Sequence, residues 1–191
     1  MNGCFVLAIW LAYFCIGTKM DEKIKYLAVE HPHVSYHNLS YLEVAKLTAQ
    51  RYGRRNPVYY VGLNLKTVVT FDNNIIIDFI FYEFLSNTYR RTFVEMHYPW
   101  CDLIFKDMFF GPALRQGKLL KPCPHPPDDY KLVNMTVPPA AIPSSFPFRK
   151  GRILANLTTA KPKHWVACGH IDMEIKEIRV KAGTKIQFSG V

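Results

Sequence analysis

Apolar and polar positions alternate with a period of two along three consecutive stretches in the first half of the chain. In 58–71 (VYYVGLNLKTVVTF) the odd positions Tyr59, Val61, Leu63, Leu65, Val69 and Phe71 are apolar, while Gly62, Asn64 and Lys66 stand between them. That period marks a strand with one buried face. Asp72-Asn73-Asn74 then supplies turn chemistry. Residues 75–84 (IIIDFIFYEF) alternate again, with Ile75, Ile77, Phe79 and Phe81 on one face and Asp78 on the other. The two stretches together predict a long antiparallel hairpin. A third strand, 89–98, sets Thr92, Val94, Met96 and Tyr98 opposite Arg91, Glu95 and His97.

Around these strands the pattern is less regular. Residues 23–37 predict an opening strand broken at Pro32, and the polar, basic stretch 46–57, closed by Asn-Pro, reads as a loop. Over 100–110 the apolar residues recur at helical spacing, Ile104 with Met108 and Phe105 with Phe109, until Gly111-Pro112 stops the helix. A shorter turn over 112–118 ends near Gly117. The four prolines of 121–127 (KPCPHPP) remove donors and fix φ, which excludes regular structure there. Strand patterns return at 130–137, 151–158 and 165–180. In the last, Ile171, Met173 and Ile175 face one way and His170, Asp172, Glu174 and Lys176 the other. The expected fold is mainly β, an antiparallel β-cup or sandwich with one short helix crossing.

The N-terminus sets the compartment. Residues 4–17 (CFVLAIWLAYFCIG) are apolar and uncharged, shorter than the ~20 residues of a membrane span and suited to a signal-peptide core. Residues 1–17 are therefore read as a signal peptide and 18–191 as a single domain of ordinary size. Three sequons, at Asn38, Asn134 and Asn156, agree with passage through the secretory pathway. The mature chain then keeps Cys101, Cys123 and Cys168. In an oxidising compartment Cys101 and Cys123 are the natural disulfide pair, which leaves Cys168 over. Aromatics at 14% and apolar residues at 49% exclude a disordered chain. The formal charge of +9 would ordinarily suggest nucleic acid. A secreted chain meets anionic lipid headgroups or acidic glycans instead, and peripheral membrane contact is compatible with the charge. Much of the excess reads as solvated surface.

Little in the chain reads as catalytic. There is no G-x-S-x-G elbow and no H-E-x-x-H. Cys168 and His170 stand at i and i+2 without an evident third group, and Asp128-Asp129 follows prolines as turn chemistry. No C-x-x-C is present, and His31, His33 and His37 lack a neighbouring carboxylate or thiol in sequence, so neither a metal nor a cofactor is expected. Arg51-Tyr-Gly-Arg54-Arg55 has the form of a basic processing site, but such clusters are more often solvated charge.

The order of features carries a resemblance. A long apolar hairpin precedes Cys101-Asp102 at the start of a short helix, and Cys123-Pro124 follows. A Pro-rich passage through Pro143 and Pro147 then leads to a final strand with Cys168-Gly-His-Ile-Asp-Met-Glu-Ile. Over 35–180 this resembles the secreted insect family that contains the CheA and CheB chemosensory proteins. More distantly it is similar to the ganglioside activator of the ML lipid-recognition type. In the activator the last-strand cysteine pairs with one near the mature N-terminus, whereas 19–40 holds none here. The resemblance implies a β-cup with a hydrophobic cavity. Its candidate lining is Val61, Leu63, Leu65, Ile75, Ile77, Phe79, Phe81, Val94 and Met96. The expected function is extracellular binding of a lipid or hydrocarbon semiochemical. The alternative is a secreted interaction module that docks to a protein, a receptor or a glycan and has no cavity.

Overall fold

In the computed structural model, which describes residues 22–180 apart from 54, 55, 57, 120 and 121, the alternating stretches build two antiparallel sheets. The strands are β1 (Glu22–His37), β2 (Leu42–Arg51), β3 (Tyr59–Thr67), β4 (Ile75–Leu85), β5 (Thr88–Pro99), β6 (Asp129–Met135), β7 (Lys150–Thr159) and β8 (Trp165–Val180). One sheet has five strands in the order β1-β8-β7-β4-β5, and the other has three in the order β2-β3-β6. Two short helices, α1 (Trp100–Phe105) and α2 (Gly111–Gln116), follow β5. The expected class, mainly β with a cup or sandwich layout, is what forms. The signal segment expected over 1–17 lies outside the described residues.

Pro32 interrupts β1 without ending it. The register against β8 shifts between Glu30 and His33, and His31 takes a positive φ of 48°. Proline cannot donate to a ladder, and an edge strand with a bulge is where a sheet accommodates it.

Three expectations need correction. The loop expected over 46–57 begins as the second half of β2. Its inward positions Ala45, Leu47 and Ala49 are mostly small, so the alternation with Lys46, Thr48 and Gln50 is faint in sequence. Pairing with β3 (Leu47 to Leu63, Ala49 to Val61) holds it extended.

The expected hairpin of 58–71 with 75–84 does not form, because β3 and β4 belong to different sheets. After Thr67 the chain crosses over. Phe71, only 1% exposed, exchanges both backbone hydrogen bonds with His125 at 2.8 Å and anchors the crossing. The Asp72–Asn74 turn is present, with Asp72 Oδ1 accepting from the Asn74 amide at 2.7 Å, but it aims β4 into the larger sheet. The tight hairpin is β4–β5. Its loop residues Ser86 and Asn87 both have positive φ, as a two-residue type I′ turn requires.

The helix expected over 100–110 is two helices. A carboxylate oxygen of Asp107 accepts backbone hydrogen bonds from Phe109, Phe110 and Gly111, which breaks the first helix and starts the second. Gly111-Pro112 therefore opens α2 rather than closing α1, consistent with proline's tolerance in a first turn. Met108 is left 80% exposed between them.

Cys101 and Cys123 are joined, as expected, with their Cα atoms 5.9 Å apart. The bridge ties α1 to the Pro-rich connector. Beside it the Trp100 indole donates to Nδ1 of the buried His125 at 3.1 Å.

Candidate functional site: an apolar cavity between the sheets

The inner faces of the two sheets do not fully meet. Between them lies a cavity of about 220 Å³ whose walls are almost wholly apolar. The larger sheet contributes Ile77 and Phe79 from β4, and the smaller one contributes Val61, Leu63 and Leu65 from β3. Leu103 of α1 and Ala113 of α2 also line it.

Side-chain size explains why the space stays open. Ala45, Ala113, Ala155 and Ala167 line the wall at positions where a packed sandwich would carry larger groups. Ala155 stands in register between Phe79 and Gly169. Gly169 adds no side chain, and a Cβ there would lie 2.9 Å from the His33 carbonyl oxygen, so the close approach of the β1 bulge requires glycine.

The sequence-predicted lining divides. Val61, Leu63, Leu65, Ile77 and Phe79 face the cavity, whereas Ile75, Phe81, Val94 and Met96 do not line it. Ile75 is buried beside Trp100 and Ile104. Phe81 has the parity of Phe79 but sits under Phe146 and Phe148, with ring centroids 5.9 and 6.4 Å away. Val94 and Met96 lie on the outer edge strand β5 and pack against that same Phe-rich core. Phe110, stacked on Phe79 at 4.1 Å, stands at the cavity on the side of that core.

Other lining residues escaped the sequence reading: Leu27 and Val29 on β1, Leu47 on β2, and Met135 on β6. The signal for Leu47 was available in the alternation with Lys46 and Thr48. For β1 and β6 only the sheet order reveals which face turns inward.

The opposite, outer face of the larger sheet is polar. Arg152 donates to Asp172 from Nε at 2.7 Å, its guanidinium lies 4.1 Å over the Tyr89 ring, and His31 pairs with the same carboxylate at 3.3 Å. Burial alone would raise the Asp172 carboxyl, but hydrogen bonds from Arg152 and Tyr89 outweigh it and hold the group below the usual range. His33 and His170 face each other across β1 and β8 with ring centroids 5.4 Å apart. Burial and then Arg152 hold the His170 imidazole below its ordinary value.

Cys168, a half-buried free thiol between Ala167 and Gly169 on β8, is among the residues that line the cavity. β1 runs beside β8, with Tyr36 in register with Cys168. Burial pushes the thiol up, a hydrogen bond with Ser35 partly opposing. That direction is opposite to the one a nucleophilic cysteine needs.

The sequons occupy different settings. Asn38 lies in the turn after β1, its Nδ2 donating to the Trp165 carbonyl at 3.3 Å. Asn134 has positive φ, and its Oδ1 accepts from the Tyr52 hydroxyl at 2.5 Å. Asn156 sits mid-strand between Asp78 and Cys168 with Oδ1 buried and accepting no hydrogen bond within the protein. In comparisons with known proteins, no family model matches the chain and no curated protein matches it.

Proposed function

We propose that this protein is a secreted, N-glycosylated carrier that holds one apolar molecule, a lipid or an aliphatic hydrocarbon, between its two sheets. The observation that carries the reading is the cavity. The pocket of about 220 Å³ is partly open to solvent, so its apolar lining stands against water at a free-energy cost when nothing is bound. Water does not relieve that cost, because apolar walls offer it no partners. A ligand of matching shape does, through about 25 cal/mol for each Å² of apolar surface removed from water. The apolar leader sequence, the sequons and the resemblance to cup-shaped lipid-recognition proteins support the same reading. The cavity weighs against a module that docks through its surface alone.

The test is displacement of a fluorescent aliphatic probe from the purified chain, with Phe79→Asp as the disabled variant and circular dichroism as the check on folding. Saturable binding that Phe79→Asp abolishes is the expected result. Probe binding unchanged in a folded Phe79→Asp protein would place binding elsewhere.

A further inference from the structure

The two ends of the cavity differ in character. At one end Leu65, Trp100, Leu157 and Ala167 form an apolar floor. The lining then follows β3 from Leu65 through Leu63 and Val61 to Tyr59, a span of about 20 Å at the ~3.3 Å rise of a strand residue. Tyr59, the first residue of β3, is the last lining residue along this strand.

Cations gather at that residue. Arg51, the last residue of β2, is exposed and is the register partner of Tyr59. Its guanidinium lies 5.6 Å from the centroid of the Tyr59 ring. Lys176, on β8 in register with Tyr26 of β1, has the parity of Asp172 and Glu174 and lies within electrostatic range of both phenols. Burial would lower the Lys176 ammonium, but Glu174 at 3.4 Å and the two phenols outweigh it, so the group stays charged. Glu174 is the acidic partner of this Lys, and Arg51 remains in excess of it.

We propose that the Tyr59 end of the cavity is a headgroup subsite for one anionic group, a carboxylate, on a single-chain lipid whose tail lies along β3. Arg51 and Lys176 supply the charge, and the Tyr59 hydroxyl donates. The ~220 Å³ volume, below the ~300–1,000 Å³ of most small-molecule pockets, suits one tail rather than two. The inference rests on the carrier reading and adds the ligand's polar end to it.

Palmitate and hexadecanol, equal in chain length and different in charge, separate the two claims. The full secreted chain is expected to bind palmitate about tenfold tighter than hexadecanol, a difference of ~1.4 kcal/mol. The double variant Arg51→Gln/Lys176→Gln should erase that preference, bringing palmitate affinity down to that of hexadecanol. Raising salt on the wild-type protein, which needs no variant to fold, should weaken palmitate selectively. Equal, salt-insensitive binding of both ligands overturns the headgroup subsite while the carrier reading stands. Failure of both ligands to bind overturns the two together.

Discussion

Filling the cavity should stabilise the protein while abolishing its binding, and Ala155→Leu is the substitution that separates these effects. Ala155 lines the void between Phe79 and Gly169, and neither its backbone nor its strand pairing needs to change. The variant adds about three methylene equivalents to apolar space, worth roughly 2 kcal/mol at ~0.8 kcal/mol each. For a domain of this size that corresponds to a rise in Tm of about 4–8 °C. Ligand should act oppositely on the two proteins. At a hundredfold excess over Kd it should add ~2.7 kcal/mol to the wild type and almost nothing to the filled variant. Thermal melts with and without a C16 ligand, beside probe displacement, read both quantities. A variant destabilised by the ~1–3 kcal/mol typical of overpacking, with ligand response intact, would refute the reasoning, because it would mean a closed interior at Ala155.

Replacing both Cys101 and Cys123 by Ser should cost about 3 kcal/mol through the released loop, visible as a lower denaturant midpoint; a loss below ~0.5 kcal/mol would contradict it. Asp172→Asn leaves Arg152 without its carboxylate and should cost roughly 1–3 kcal/mol at pH 7. Because the folded Asp172 carboxyl is held low, its contribution is complete above the unfolded value near pH 4 and is lost as pH falls through the folded value. The gap between variant and wild type should therefore narrow only below about pH 4 in pH-resolved melts. Cys168, half-buried and shifted upward, should alkylate at pH 7.5 more slowly than free glutathione; labelling as fast as glutathione would show an open thiol.

How much of this was legible in the sequence depended on how local the cause was. The strands at Ile75–Leu85 and Trp165–Val180 follow from alternation within each segment, and the Cys101–Cys123 bridge from counting cysteines in an oxidising compartment. Periodicity also chose the correct face of β3 for the cavity. It did not distinguish Phe79 from Phe81, which share parity and differ only in that Phe146 and Phe148 fold over the second. The separation of β3 from β4 was equally hidden, since Phe71 finds its partner His125 far along the chain. The break between α1 and α2 turned on one carboxylate, Asp107, whose bonds to three amides override a helical period. The void itself depends on residue size, at Ala45, Ala113 and Ala155, and a pattern of apolar against polar does not register size.

Native mass spectrometry of the chain purified from a eukaryotic secretory host tests the carrier reading most directly. The account predicts one apolar adduct per chain that survives purification, is lost on delipidation and returns on adding a single-chain lipid. A chain that emerges at its bare glycosylated mass, and takes up no lipid when lipid is supplied, would contradict it.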